Sequence, residues 1–262
     1  MHVIDAHAHL ATWPDIPASK ANLLTGMERH GIAASLVSHA DCTSFPGEHE
    51  AQVEPLPQEE GLRQCIEFAR ENPGRFFVAA WFTPLRAEEP SEDFVRSIRD
   101  NRDVVKTLKF HPYCERCPLD DPRVEPYLRL AEELGLPVLV HTAVDDYSSI
   151  GHFVSACRAH PNLRFVAAHL ELCSDHEFAI ESLRGVENAY CDTAWVDLYH
   201  ARKAMEVLGK DRVFFGTDAP IDGAATLDNP TYLEFFQNAL GLDGWDYEGL
   251  MGRNAANFYG LF

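Results

Sequence analysis

The sequence has none of the segments that mark membrane, secreted or disordered proteins. Its 262 residues contain no Gly/Ser tract and no low-complexity segment, and no apolar run approaches the roughly 18 residues that span a bilayer. The start, Met1 to Asp5, has neither the basic residues nor the apolar stretch of a signal peptide. We therefore expect a globular cytoplasmic protein with no membrane partner.

Positive charge is also scarce. The chain has 22 Lys and Arg against 41 Asp and Glu, which gives a net charge of −19 at pH 7. Such a field repels phosphate backbones, so no nucleic-acid partner is expected. The seven cysteines are an odd number in a long chain. This is not the pattern of a disulfide framework, and we predict reduced thiols.

Motifs for three common chemistries are missing. No Gly-x-Gly-x-x-Gly follows a predicted strand, no phosphate loop ends in Gly-Lys-Ser/Thr, and no Gly-x-Ser-x-Gly nucleophile elbow occurs. Dinucleotide binding, phosphate-loop nucleotide hydrolysis and serine-hydrolase chemistry therefore lack their usual sequence signals.

What the sequence does contain is a unit that repeats eight times: a short apolar run, a polar loop, a helical pattern and a turn. Several runs are apolar on both faces, which is typical of parallel strands covered by helices. Eight such units predict a single-domain (β/α)8 TIM barrel over residues 1–262, with a doubly wound open sheet as the alternative. The predicted strands are Val3–His7, Ala33–Val37, Phe76–Phe82, Val104–Phe110, Pro137–His141, Leu163–His169, Ala189–Asp192 and Val213–Gly216.

Turn and cap residues divide these units. Ser19 is expected to cap the first helix and Gly31 to follow its end, while Gly135 ends the helix before strand five. Two long, turn-rich stretches, 39–57 and 111–122, break the rhythm. Long loops in a compact domain are usually functional, so we expect these two to shape a pocket.

Metal-competent side chains follow several predicted strands. His7 and His9 are two residues apart, so strand periodicity places both on one face. His141, His169 and Asp218 each end a further apolar run. Singly, such residues are often exposed histidines, satisfied strand ends or turn residues. Together, at the carboxyl ends of barrel strands, they predict one active site.

Imidazoles with one carboxylate suit a borderline divalent ion. Zn²⁺ is favoured, although Mn²⁺, Fe²⁺ and Ni²⁺ accept similar ligands. Such an ion lowers the pKa of its water towards about 7 and so supplies hydroxide at neutral pH. Asp218 is then predicted to take or relay a proton, and His169 to polarise the water or the substrate.

Four further residues are predicted to contact substrate. Lys109 lies in an apolar run, where a lysine is costly unless it pairs, is modified, binds an anion or reaches solvent. His111 follows on the same face, and Arg116 in the next loop is available to meet a carboxylate. Trp195, after strand seven, lines the pocket or packs as a core aromatic.

Motifs at five strand ends carry a family resemblance. They are His7-Ala8-His9, Leu108-Lys109-Phe110-His111-Pro112, His141, Ala168-His169 and Phe215-Gly216-Thr217-Asp218-Ala219-Pro220. The set resembles the amidohydrolase superfamily, in its branch of metal-dependent hydrolases and aminocarboxymuconate-semialdehyde decarboxylase. The resemblance extends from Val3 to Ala256 and is specific for the fold and the metal site rather than for a substrate.

This resemblance implies a ligand set for a single ion, with His169 beside the activated water. The implied ligands are His7, His9, His141 and Asp218. In two-metal relatives, His169 and a carboxylated lysine or an acidic residue on strand four bind a second ion, and Lys109 occupies that strand here. Because Asp218 is the one acidic residue among the matching strand ends, we expect one ion and an unmodified Lys109.

The sequence therefore predicts a metal-dependent hydrolase that attacks an amide, lactone or ester bond of a small molecule through a metal-activated water. Non-oxidative decarboxylation of an unsaturated or aromatic acid is the alternative, and a catalytically silent metal- or ligand-binding barrel is a third. Lys109 favours an acidic substrate. A homodimer is the commonest arrangement for a soluble enzyme.

Overall fold

The computed structural model describes residues 2–12, 15–43 and 54–262. In these residues, eight parallel strands follow one another in chain order around a single sheet. The first strand also meets the segment that directly follows the last strand, because the Ala6 amide donates to the Phe215 carbonyl at 2.8 Å and Ala8 bridges to Ala219. The predicted TIM barrel is therefore confirmed, and the open sheet is excluded.

All eight predicted strands are present, with their ends shifted by a few residues. The last is shorter than predicted because the Gly216 amide donates to the Thr193 hydroxyl, at 3.1 Å, instead of extending the ladder. The strands are β1 (Val3–Leu10), β2 (Ile32–His39), β3 (Phe76–Trp81), β4 (Val105–Phe110), β5 (Val138–Ala143), β6 (Phe165–Leu172), β7 (Ala189–Asp192) and β8 (Val213–Phe214).

Helices connect and cover the strands. No helix among the described residues has both the length and the apolar character needed to cross a membrane. The helices are α1 (Ile16–His30), α2 (Gln58–Glu71), α3 (Glu92–Asp100), α4 (Pro112–Glu115), α5 (Glu125–Leu134), α6 (Ile150–Ala159), α7 (Glu177–Ser182), α8 (Leu198–Leu208), α9 (Pro230–Gln237), α10 (Gly244–Glu248) and α11 (Asn254–Tyr259).

The start of α1 corrects one prediction. Asp15, not Ser19, caps this helix, and its side chain accepts a hydrogen bond from the Ala18 amide at 2.7 Å. Pro17 in the first turn suits this earlier start, because a helix does not need the N–H group there. Ser19 is buried within the helix, while Gly31 ends it in the left-handed conformation, φ 67°, as predicted.

The two long stretches differ in how much of each is described. Residues 44–53 of the stretch 39–57 lie outside the described residues. The stretch 111–122 contains the short helix α4, with His111 at its amino end and Arg116 at its carboxyl end. It is therefore partly helical rather than wholly irregular.

The core has an outer and an inner layer. Between the sheet and the helices lies a large apolar cluster, and a smaller cluster fills the barrel interior below the carboxyl ends of the strands. Tyr259 and Leu261, from the end of the chain, join this inner cluster. Because apolar side chains fill the interior, polar functional groups are confined to the end of the barrel where the strands have their carboxyl ends, called the mouth below.

A shift of register in β1 aims its histidines into that mouth. Ile4 and Ala6 belong to the inner cluster, so strict alternation turns His7 and His9 away from the interior. The pairing of β1 with β2 is irregular between Asp5 and Ala8. Such an irregularity redirects the side chains that follow it, and both imidazoles lie at the mouth with ring centroids 5.0 Å apart.

Candidate metal centre

Three metal-competent side chains meet at the barrel mouth, from β1, from β6 and from the segment after β8. One ligand atom each from His7, His169 and Asp218 lies within 4.8 Å of the other two. All three residues are buried. Within the described part of the chain this is the one group of three or more such residues at this spacing.

His9 and His141 adjoin this trio. The Nε2 atom of His9 lies 2.8 Å from Oδ1 of Asp218, and His7 Nε2 lies 3.3 Å from the same oxygen. The His141 ring is 4.7 Å from the His169 ring, centroid to centroid. The structure therefore brings all five predicted histidine and aspartate side chains together, with His169 rather than His9 or His141 in the tightest group.

Hydrogen bonds hold three of the imidazoles by Nδ1, which directs Nε2 towards the cluster. This arrangement is typical of metal-binding histidines, whose second nitrogen is fixed by an outer partner. The Nδ1 atoms of His7, His9 and His169 lie, respectively, 2.9 Å from Asp192 Oδ2, 2.9 Å from Ser38 Oγ and 3.1 Å from the Ala194 carbonyl oxygen.

Burial keeps four imidazoles of the site neutral. It lowers the pKa of His7, His111 and His141 well below the ordinary value, and it lowers the pKa of His169 to about 4. A neutral imidazole has a free lone pair, as a metal ligand must. At neutral pH these four imidazoles therefore offer donor atoms without having to lose protons.

Asp218 supplies the negative charge of the trio. Burial alone raises the pKa of its carboxyl group, but the hydrogen bond with His9 and the interactions with the neighbouring imidazoles together outweigh this effect, and the pKa lies well below the ordinary value. Its second oxygen, Oδ2, accepts a hydrogen bond from the indole N–H of Trp195 at 2.8 Å. Trp195 therefore contacts the centre itself.

Three residues of the site have a left-handed backbone. The φ angles are 71° at His169, 61° at Trp195 and 63° at Asp218. Such angles are uncommon outside glycine and concentrate at functional sites. Ala168 on β6 points into the inner cluster, so strict alternation would turn the next residue, His169, away from the barrel interior. The left-handed backbone at His169 instead directs its ring towards the mouth, beside His7.

Lys109 lies beside the trio and does not reach solvent. It is 1% exposed, and its Nζ atom is 2.9 Å from Nε2 of His7. The same atom lies 5.8 Å from the centre of the Trp81 ring. Burial lowers the pKa of Lys109 to about 8, against the opposing charge of Asp218. The side chain is therefore mostly charged at pH 7, in a place where an anion stabilises it.

His111 forms one wall of the mouth, whereas Arg116 lies at its edge. The His111 ring stacks on His141 with centroids 3.8 Å apart and planes at 13°, and on Trp81 with centroids 5.9 Å apart and planes at 16°. Arg116 ends α4 with φ 44° and is exposed. Of the four predicted substrate contacts, Lys109, His111 and Trp195 thus adjoin the buried cluster.

Two residues of the site, Asp192 and Trp81, were not predicted from the sequence. Asp192 ends β7 and is fully buried against His7 and His169. Its sequence signal was present, because Ala189–Asp192 is an apolar run ending in a carboxylate, the pattern that identified Asp218. Trp81 ends β3 beside Lys109, but an aromatic residue there is indistinguishable in sequence from a core residue.

Hydrogen bonds to Asp5 connect β1, which carries His7, with the segment after β8, which carries Asp218. Its Oδ2 accepts from the Thr217 hydroxyl at 2.6 Å, and its Oδ1 accepts from the amides of Thr217 and His7 at 3.0 and 3.1 Å. Burial raises the pKa of Asp5 to about 7. This network fixes the position of His7 relative to Asp218.

The residues present fit a divalent ion. Two neutral imidazoles and a carboxylate each place a ligand atom within 4.8 Å of the other two, further imidazoles lie next to them, and these residues are buried. Borderline ions such as Zn²⁺ favour nitrogen and oxygen donors of this kind.

A comparison with protein families identifies the chain. The family model described as Amidohydrolase matches residues 4–261. The chain belongs to this amidohydrolase family. No curated protein matches the sequence.

Solved structures share the fold of this amidohydrolase over its full length. Their sequence identities of 13–15% mean that the similarity shows a shared fold and not a shared activity. The structures include a Staphylococcus aureus protein assigned to the amidohydrolases (15% identity, TM-score 0.72, 99% of this chain and 100% of that one). They also include 5-carboxyvanillate decarboxylase from Novosphingobium aromaticivorans with manganese and 4-hydroxy-3-methoxy-5-nitrobenzoic acid (13%, 0.71, 99% and 96%), and a probable 2-pyrone-4,6-dicarboxylic acid hydrolase from Acinetobacter baumannii with citric acid (14%, 0.67, 99% and 100%).

Proposed function

We propose that this protein is a metal-dependent hydrolase that cleaves a lactone, ester or amide bond in a small carboxylated molecule. The observation that carries the proposal is the buried trio of His7, His169 and Asp218, with His9 and His141 adjoining. The proposed ligands of the ion are His7, His9, His141 and Asp218, with His169 beside the water. A divalent ion bound there supplies Lewis acidity and lowers the pKa of water towards neutrality. Zn²⁺ is the favoured ion, with Mn²⁺, Fe²⁺ and Ni²⁺ as alternatives.

A single ion is proposed, because Lys109 stands where a second cation is repelled. Its ammonium group lies 2.9 Å from His7 Nε2, so the buried site already contains one positive charge, which repels each further cation placed there. Asp218 is also the one carboxylate of the trio. An unmodified Lys109 is therefore part of the proposal.

Asp218 is proposed as the general base. Its carboxyl group is ionised, and Trp195 and His9 hold its two oxygens in place. It takes the proton of the attacking water and returns it to the leaving group. His169 orients that water, since the Ala194 carbonyl fixes the proton on Nδ1 and leaves the lone pair of Nε2 towards the cluster.

The substrate is proposed to be an acid, with its carboxylate bound by Lys109. A buried ammonium group gains most from a partner of opposite charge, and the surrounding protein is otherwise strongly acidic. Two proteins of the same fold are named with acidic molecules: the A. baumannii hydrolase, with citric acid, and the N. aromaticivorans decarboxylase, with a nitrobenzoic acid.

Decarboxylation of an aromatic acid is a second candidate, and a specific observation favours it. Trp81, His111 and His141 form a stack of flat rings next to Lys109, and such a wall suits a planar substrate. In that reaction the carbon–carboxylate bond breaks to release carbon dioxide, and Asp218 relays to that carbon a proton taken up from water. The 5-carboxyvanillate decarboxylase shares the fold.

Product analysis distinguishes the two reactions. Metal-loaded protein is incubated with carboxylated lactones, esters and amides and with hydroxylated aromatic acids. Hydrolysis adds water to the substrate and releases no carbon dioxide, whereas decarboxylation releases one carbon dioxide for each turnover. Carbon dioxide release with no hydrolysis of any candidate overturns the leading proposal.

Asp218→Asn tests the general base in the same assay. We expect kcat to fall about 100-fold or more, because the charge and the proton acceptor are both lost while the shape is kept. The matched control is Asp222→Asn, an exposed residue of the same loop, which keeps normal turnover. Near-normal turnover of Asp218→Asn at normal metal content makes Asp218 a structural turn residue.

A further inference from the structure

Asp192 is a buried carboxylate that the proposed ligand set does not use. We propose that it is a positioning residue of the metal centre: it determines which nitrogen of His7 carries the proton, and it holds the backbone of His169. The inference rests on the proposed metal centre. Asp192 is 0% exposed at the end of β7 and contacts residues of β1 and β6.

The partners of His7 define its tautomer. Asp192 Oδ2 lies 2.9 Å from Nδ1, and a carboxylate oxygen can only accept, so Nδ1 carries a proton. A neutral imidazole carries one proton, so Nε2, which lies 2.9 Å from Lys109 Nζ, offers its lone pair. Asp192 accepts a hydrogen bond from Nδ1, and Nε2 presents a lone pair rather than a proton towards the cluster, as a metal ligand must.

The other oxygen of Asp192 holds His169. Oδ1 accepts hydrogen bonds from the backbone amides of His169 and Ala194, each at 3.1 Å. The Ala194 carbonyl in turn accepts from His169 Nδ1 at 3.1 Å. These bonds support the left-handed backbone at His169, φ 71°. One carboxylate therefore positions an imidazole from β1 and another from β6.

Close packing keeps Asp192 against His7. At Gly216, just after β8, an added Cβ atom would lie 3.1 Å from the Cβ of His7 and 3.2 Å from the Cβ of Asp192. Both distances are tighter than ordinary contacts, so a side chain at this position pushes the pair apart. Gly216 thus lets the segment after β8 close over the hydrogen bond and exclude water from it.

Asp192→Asn separates the two roles. The amide oxygen can still accept from the two backbone amides, but the NH₂ group that replaces Oδ2 can only donate. His7 Nδ1 must then accept, and the proton moves to Nε2, the atom needed for metal. A flipped amide is disfavoured because its NH₂ group would face two backbone N–H donors.

We expect two results from this variant. In metal-free protein labelled with ¹⁵N-histidine, the NMR signals of His7 change from the Nδ1–H form to the Nε2–H form. The affinity for Zn²⁺, measured by competition with a chelator, falls by about 10- to 100-fold. The thermal unfolding midpoint changes little, because the backbone bonds remain.

The control is Asp5→Asn, the neighbouring buried carboxylate, which contacts Thr217 and the backbone of His7 but no imidazole. It leaves the His7 tautomer unchanged. An unchanged tautomer in Asp192→Asn, with Zn²⁺ affinity within about threefold of wild type, overturns the inference and leaves the proposed function standing. If wild-type protein binds no divalent ion, the proposed function fails and the NMR result alone decides the role of Asp192.

Discussion

Lys109 is a cation enclosed in a chain of net charge −19, and its surroundings explain how it is tolerated. The lone pair of His7, the carboxylate of Asp218 and the face of the Trp81 ring all lie near its ammonium group. These contacts offset part of the cost of removing a charge from water. A bound substrate carboxylate would offset more of this desolvation cost. The buried charge therefore favours binding of an acidic substrate.

Lys109→Met removes the charge while keeping a long apolar side chain. We expect KM for a carboxylated substrate to rise about 10- to 100-fold, the value of a hydrogen bond to a charged group, while kcat changes less and metal content is kept. Steady-state kinetics and metal analysis check this.

The matched control for this prediction is Lys106→Met on the same strand. Its ammonium group is partly exposed and donates to the Gly260 carbonyl rather than to the site. The control leaves KM unchanged. Loss of metal from Lys109→Met would instead assign Lys109 as a ligand in its carboxylated form.

At the scale of elements, the junction of β1 with the segment after β8 decides whether the centre is assembled. Asp5 and Thr217 are both buried there, and their side chains bond to each other. Thr217 also accepts from the Ala219 amide at 3.2 Å. Neither residue belongs to the trio, but they set the distance between the chain segments that carry His7 and Asp218.

Thr217→Val is expected to destabilise the fold by about 1–3 kcal/mol, because an apolar group of similar shape leaves the buried Asp5 oxygen without its hydroxyl donor. Urea unfolding of the metal-free protein measures the change. Thr217→Ser keeps the hydroxyl and loses only a methyl group, so its loss of stability is smaller. Equal stability of the two variants would show that the Asp5–Thr217 bond contributes nothing.

The elements themselves were largely predictable. Strands that are buried on both faces are apolar throughout, as in Val138–Val140 and Phe165–Ala168, and such runs are visible without knowledge of tertiary structure. The direction of side chains near the strand ends was less predictable. The register shift in β1 and the left-handed turn at His169 arise from contacts with neighbouring strands, which periodicity does not contain.

For the candidate site, the sequence indicated which residues belong to it but not which residues form hydrogen bonds with one another. His7, His9, His141, His169 and Asp218 all stood out as polar ends of apolar runs. Their hydrogen-bond partners come from other strands. The bond between His7 and Asp192 spans 185 positions of sequence, so no local pattern indicates it.

At the scale of the whole molecule, closure of the barrel creates the centre. His9 and Asp218 are 209 positions apart in sequence and 2.8 Å apart in space. The unfolded chain therefore has no preformed site, and any ion that binds the centre also stabilises the folded state. The acidic exterior opposes the approach of acidic substrates, which makes the buried Lys109 the local exception.

The most direct test of this account is the metal content of purified protein, measured by mass spectrometry for wild type and for His7→Ala/His9→Ala, with circular dichroism to confirm that both are folded. We expect a single divalent ion per chain in wild type and loss of most of it in the variant, because the removed imidazoles lie at the mouth rather than in the packed interior. Stoichiometric metal retained by the folded double variant would contradict the assignment of this cluster as the metal centre.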